Sequence, residues 1–302
     1  MLHINRRMHL VSFVKNQKTH VGILHGEKSI IDLSFYENQV PNDVNQIIEL
    51  NSLVKLKEIQ AKPTAESIIK KEEVKIIAPI PVPKRDIICV GLNYHDHAKE
   101  FHSSGYDSNT SKKAVPDYPI IFTKATTSVI GPDESIPSKN DPTNSIDYEG
   151  ELGIIIGKKS RNITKSNAFE IIFGYTIIND VTARNLQNQH KQWFLGKSPD
   201  GFCPMGPAIV TADEIQDVTK LTLVTKINGE TRQNAKVADL IFDIPTLIET
   251  ITSTMTLIPG DIIATGTPVG VGIGFNPPKF MKSGDKVSIA ISGLGELNNN
   301  VS

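Results

Sequence analysis

Residues 146–157 read "IDYEGELGIIIG". The apolar run from Leu152 to Ile156 marks a buried strand, and in a strand side chains two apart share a face. Glu149 and Glu151 therefore point to one side, while Tyr148, Gly150 and Leu152 point to the other. An isolated pair of glutamates is most simply a solvated strand face, because surface carboxylates are common. Two parallel carboxylates at the head of a buried strand are different, since burying like charges requires a cation to offset them. Ligation by oxygen alone selects a hard ion: Mg²⁺ or Mn²⁺, with Ca²⁺ also admitted and Zn²⁺ disfavoured. A third carboxylate, Asp180 in "GYTIINDVTARNLQ" (174–187), follows another apolar strand. From the residues alone it could complete a triad with Glu149 and Glu151 or cap a helix after it.

On both sides of this segment, from Asp86 onward, short strands are punctuated by Gly and Pro: Ile87 to Val90, Ile120 to Thr123, Gly150 to Ile156, Gly174 to Asn179, Leu221 to Ile227, Asp261 to Ala264 and Lys286 to Ile291. Helical spacing is confined to Asn93 to Phe101, Ser166 to Ile172, Val181 to Gln192 and Asp243 to Thr254. Before Asp86 the pattern predicts a small meander (His9 to Val14, Thr19 to Leu24, Ser29 to Leu33) and one amphipathic helix spanning Val44 to Leu56 behind Asn42 and Asp43. The expected organisation is mainly β with some helix (α+β), with a small N-terminal α+β domain over residues 1–75 and a larger one over 76–302. The polar stretch from Phe101 to Tyr118 is expected to be a lid that closes on the site.

Composition narrows the function. The chain has 302 residues, 32 Lys plus Arg against 33 Asp plus Glu, and a formal net charge of -1, so no global field draws it to nucleic acid or to an anionic membrane. Mean hydropathy is -0.16. No run approaches the ~18 apolar residues of a membrane span, and the N-terminus lacks a signal-peptide pattern. Cys89 and Cys203 are too few for a disulfide framework, which fits a reducing, cytoplasmic setting.

Further motifs carry polar chemistry. In "GLNYHDHAKEF" (91–101), His97 and Glu100 stand at i and i+3 on one helical turn, a pair able to activate water as a general base; a surface polar pair is the plainer alternative, and His95 lies close by. Lys124 and Lys197 follow apolar or Gly-rich segments and would suit an anionic substrate, although lysines are usually solvated. The Gly-rich "GDIIATGTPVGVGIG" (260–274) lacks a nucleotide-binding context, yet the amides of Thr265, Gly266 and Thr267 could hold a small anion.

Taken in order, "GLNYHDHAKE", "PIIFTKATTSVIGP", "IDYEGELGIIIGK", "GYTIINDVTARNLQ", "WFLGKSPDGFCPMGP" and "LIPGDIIATGTPVGVG" resemble the fumarylacetoacetate hydrolase family from about Asp86 to the end of the chain. The resemblance implies a mixed β-sandwich roll, a homodimer and one divalent metal on Glu149, Glu151 and Asp180. It implies a His97–Glu100 dyad, a catalytic Lys197, and substrate contacts from Gln187, Thr267, Arg184 and Lys124. The implied substrates are short 2-oxo or 2,4-dioxo acids handled through a metal-held enolate. Hydrolysis of a C–C bond in an acylpyruvate-type acid is the leading expectation. The alternatives are an isomerase or decarboxylase of the 2-hydroxyhepta-2,4-diene-1,7-dioate type, an oxaloacetate decarboxylase, or a silent binding scaffold.

Overall fold

Two residues that tolerate a left-handed backbone, Asn16 and Gln17, turn the chain between β1 (His9–Lys15) and β2 (Lys18–His25), and β3 (Ser29–Asp32) completes the meander. The structure is a computed structural model and describes residues 7–106 and 113–302. The helix expected over 44–56 is in fact two. Asp43 caps α1 (Val44–Glu49) by accepting from the Gln46 amide at 2.9 Å, and Asn51, at φ 48°, ends it before α2 (Leu53–Ala61). Two short strands, β4 (Ile68–Lys70) and β5 (Lys75–Ile77), lead into the larger region.

That region contributes β6 (Ile87–Gly91), α3 (His95–Ser103), β7 (Ile120–Lys124), β8 (Val129–Ile130), β9 (Ile146–Asp147), β10 (Gly150–Ile156), β11 (Ile172–Asn179) and β12 (Thr182–Ala183). Then come α4 (Arg184–Gln189), α5 (Phe194–Lys197), β13 (Cys203–Thr211), β14 (Thr222–Ile227), β15 (Glu230–Lys236), α6 (Ile244–Thr254), β16 (Ile262–Ala264), β17 (Lys286–Ile291) and β18 (Gly295–Asn300). The helix expected over 166–172 is a single 3₁₀ stretch, Lys165–Ile171. The helix expected from Val181 begins only at Arg184, because Thr182 and Ala183 first pair with β9. The centre of the expected lid, residues 107–112, lies outside the described residues.

One large mixed sheet runs in the order β4, β3, β2, β1, β13, β11, β10, β16, β6, β7, with β5 added to β1 and β8 to β13. A second sheet, β15, β14, β17, β18, packs beside it, and the whole is the mainly β roll that the sequence leads one to expect. Pairing is antiparallel apart from β6 with β16 and β8 with β13. Strand β13 escapes the periodicity reading because Pro204 and Pro207 interrupt it, although it sits in the sheet interior. Strands β15 and β18 escape it because their outward faces are polar.

The regions on either side of residue 75 share this sheet, since Leu10 on β1 pairs with Ile209 on β13. They also share a core: Met8, Leu10, Val21, Ile31 and Ile47 pack in one cluster with Ile87, Ile155, Phe173, Ile178 and Met205. Excising residues 1–75 would strip that cover and leave an open sheet edge. The fragment 76–302 is expected to aggregate or to lose its cooperative calorimetric transition. A fragment that melts cooperatively near the midpoint of the intact chain would contradict this.

Candidate functional site

The register of one strand pair builds the site. Strands β10 and β11 are antiparallel with Gly150 opposite Asn179 and Glu151 opposite Ile178, and the Asp180 amide donates to the Glu149 carbonyl at 2.9 Å. Glu149, at the entrance of β10, thus stands across from Asp180, at the exit of β11, and Glu151 follows on the same face. The three side chains are buried, and one carboxylate oxygen of each lies within 4.8 Å of the others. Asp180 caps no helix: the residue before α4 is Ala183, which makes no side-chain cap.

Cations surround two of the three carboxylates. Lys197 Nζ lies 2.8 Å from Glu149 Oε2 and 2.7 Å from Asp180 Oδ2. Lys124 Nζ sits 2.7 Å from Asp180 Oδ1, an ion pair whose angle falls outside hydrogen-bond geometry, and it donates to the carbonyls of Val181 (3.0 Å) and Lys197. Arg184 reaches Glu149 Oε1 at 2.6 Å and donates from Nε to Asp147 at 2.9 Å and from Nη1 to Gln187 Oε1 at 3.2 Å. Burial raises the Glu149 carboxyl, but Lys197, Arg184 and His97 together outweigh it and hold the group at about 2. Burial also disfavours the charged ammonium of Lys197, yet Asp180 and Glu149 more than offset it, so its pKa is raised.

Glu151 is placed differently. Its Oε2 accepts from the Gly266 amide at 2.7 Å, and among the described residues it forms no ion pair. Burial, then the charges of Asp180 and Glu149, push its carboxyl well above the usual range. The residues therefore fit a divalent ion: three converging oxygen donors, one of them lacking any cation of its own.

The dyad forms on α3. His97 Nδ1 is 3.1 Å from Glu100 Oε2, and Glu100 accepts from the Gly270 amide at 3.0 and 3.2 Å. His97 is buried and His95 exposed, which separates two histidines that spacing could not. The Gly-rich loop must pass close: a Cβ on Gly274 would lie 1.8 Å from Glu100 Oε1. The small anion anticipated for this loop is the protein's own, because its amides bind the carboxylates of Glu151, Glu100 and Asp147.

A narrow cleft opens onto Glu149, His97, Arg184, Gln187, Lys197 and Thr267, walled by Phe101, Phe122 and Trp193. Among the described residues Glu100, Lys124, Glu151 and Asp180 do not line it. Lys124 is committed to holding Asp180 and two carbonyls, and the Thr267 hydroxyl donates to the Gly150 carbonyl at 3.0 Å and accepts from Gln233 at 2.8 Å. Two residues escaped the sequence reading. Asp147 is fully buried between Arg184 and the Gly272 and Ile273 amides, and Gln233 ties Thr267 and Pro268 to Gly150. Asp147 stood in the quoted motif, where its position beside two glutamates was the available signal; Gln233, in a polar strand, gave none.

A family model described as "Fumarylacetoacetate (FAA) hydrolase C-terminal" matches residues 86–302. The chain is 44% identical to "Oxaloacetate tautomerase YisK" of Bacillus subtilis (strain 168) over 295 residues, 93% of this chain and 95% of that one. Among solved structures it is similar to a fumarylacetoacetate hydrolase from psychrophilic Exiguobacterium antarcticum, with a TM-score of 0.81 and 38% identity, covering 98% of this chain and 99% of that one. It is also similar to maleylpyruvate hydrolase from Sphingobium sp. SYK-6 in complex with manganese (II) ion and pyruvate, with a TM-score of 0.77 and 29% identity, covering 97% and 98%. By the matched family model, by identity across nearly the whole chain and by shared architecture, this protein belongs to the fumarylacetoacetate hydrolase family.

Proposed function

We propose that the protein is a divalent-metal-dependent enzyme acting on short 2-oxo acids, and that its reaction is keto–enol interconversion of oxaloacetate. The observation that carries this reading is a buried carboxylate triad beside a fixed His–Glu dyad in a chain 44% identical to an oxaloacetate tautomerase. Glu149, Glu151 and Asp180 would hold Mg²⁺ or Mn²⁺, which when bound supplies Lewis-acid polarisation of the 2-oxo group. A homodimer belongs to the same reading and rests on the family resemblance, while a cytoplasmic location rests on the sparse cysteines, Cys89 and Cys203; no helix among the described residues is long and apolar enough to cross a membrane.

The chain's own residues account for the proton transfer. Glu100 accepts from Nδ1–H of His97, which lines the cleft, and this leaves Nε2 as the basic nitrogen. In the keto-to-enol direction His97 takes a proton from C3 of the substrate, the freed C–H electron pair forms the C2–C3 double bond, the carbonyl π pair moves onto the 2-oxygen, and that oxygen takes the proton back from the imidazolium, which restores the base. Arg184 and Lys197 place positive charge where an anionic acid would lie. Phe101, Phe122 and Trp193 supply a dry wall beside the imidazole, which suits proton shuttling better than delivery of water.

Hydrolysis of an acylpyruvate-type 2,4-dioxo acid, the leading expectation from sequence, is the second reading. It is favoured by the likeness to maleylpyruvate hydrolase and by a dyad equally able to activate water.

Purified protein supplied with Mn²⁺ should accelerate loss of the enol absorbance of oxaloacetate without forming pyruvate. Stoichiometric pyruvate from acetylpyruvate, with no effect on the oxaloacetate enol, would favour the hydrolase. Exhaustive chelation should abolish turnover, and added Mg²⁺ or Mn²⁺ should restore it. His97→Ala should lower kcat by roughly 10²-fold or more while metal affinity by calorimetry stays within a few-fold, because His97 lies outside the triad. Gly274→Ala should lower kcat in the same way by displacing Glu100, and full activity in that variant would remove Glu100 from the mechanism.

A further inference from the structure

The carboxylates assigned to the metal are already partly neutralised by the chain itself. Lys197 is buried, and its ammonium bridges an oxygen of Glu149 and an oxygen of Asp180 at 2.8 and 2.7 Å, two of the three carboxylates in the triad. The backbone of Lys197 is held in place beside the triad. Its amide donates to the Trp193 carbonyl at 3.0 Å, its own carbonyl accepts from Lys124, and its ammonium stands 5.1 Å from the centre of the Phe122 ring. Glu151, by contrast, has no cation of its own among the described residues.

We propose that Lys197 is an internal counter-cation of the metal site, one that holds metal affinity down in the free protein and so couples metal binding to the arrival of an anionic acid. The inference rests on the reading that Glu149, Glu151 and Asp180 take a divalent ion.

The argument is electrostatic. An ion held by oxygens of Glu149 and Asp180 at the usual ~2.0–2.6 Å stands within several ångströms of the Lys197 ammonium, and like charges at that range in a buried site repel strongly. The ammonium and the ion also draw on the same pair of carboxylates. An acid carboxylate entering the cleft offers Lys197, which lines it, a new partner and relieves both effects. By linkage, each ligand then tightens the other. A lysine that only oriented substrate would leave metal affinity in the free protein unchanged.

The test is calorimetric titration of Mn²⁺ into metal-free protein, wild type against Lys197→Met and Lys197→Gln, with and without oxalate as a non-reacting acid. Both neutral variants should bind Mn²⁺ at least tenfold more tightly than wild type in the absence of oxalate. Their melting temperatures should fall without metal and rise further than that of wild type when Mn²⁺ is added. The gain in Mn²⁺ affinity caused by oxalate should shrink in both; chelation of Mn²⁺ by oxalate in solution is common to all the proteins and cancels. Lys197→Arg, which keeps the charge, should remain within threefold of wild type, and it carries the test through its oxalate dependence if the neutral variants fail to fold. Neutral variants that bind Mn²⁺ equally or more weakly would overturn the proposal while leaving the metal site in place. Absence of Mn²⁺ binding in every protein, with or without oxalate, would overturn the proposal and the metal reading together.

Discussion

Four carboxylates, Asp147, Glu149, Glu151 and Asp180, are buried together, and three of them, Asp147, Glu149 and Asp180, form ion pairs with Lys124, Arg184 and Lys197. Removing charges from water on this scale is costly, and breaking one buried pair by deleting a partner typically costs about 3–5 kcal/mol. Each cation therefore touches more than one acceptor. Arg184 spans Asp147 and Glu149, Lys197 spans Glu149 and Asp180, and Lys124 spans Asp180 and two carbonyls. Among the described residues the network leaves Glu151, of these four, without a cation, an imbalance that a divalent ion would offset.

Two backbone features make this arrangement attainable. The antiparallel register of β10 and β11 sets the three carboxylates of the triad on one face at the end of a strand pair. The loop after β16 then supplies amides to the acids: Gly266 to Glu151, Gly270 to Glu100, and Gly272 and Ile273 to Asp147. Carboxylates can approach that backbone because glycine removes the obstructing Cβ, most plainly at Gly274 beside Glu100. A sequence that looks like a nucleotide loop works instead as a clamp that joins the triad to the dyad.

The same constraints would let the site, under the proposed function, serve more than one reaction on 2-oxo acids. Arg184 and Lys197 would meet the carboxylate of the acid, and their charge would stabilise charge that develops on the oxo group, whichever bond changes next. The dyad and the aromatic wall lie on other elements, α3, β7 and the segment before α5, and under that reading they would decide whether a proton alone or a water molecule is delivered.

Much of this was legible in the residues. The strand from Gly150 to Ile156 and that from Lys286 to Ile291 have the expected bounds, because uninterrupted apolar or alternating runs leave little choice of conformation. The pairing of Glu149 with Glu151 on one face followed from the two-residue repeat of a strand, and that of His97 with Glu100 from the helical turn; both are local geometry. Contacts set by register or by distant chain segments were not legible. Asp180 could have been a helix cap until the pairing of β10 with β11 placed it opposite Glu149, and His95 was indistinguishable from His97 until burial separated them. Strand β13 was hidden by its prolines, and the ties of Asp147 to residues 272 and 273 and of Gln233 to Thr267 join positions 34 to 126 residues apart. Local spacing specifies which side chains share a face of one element, but which elements face one another depends on the free energy of the whole packed chain, to which no short window of sequence has access.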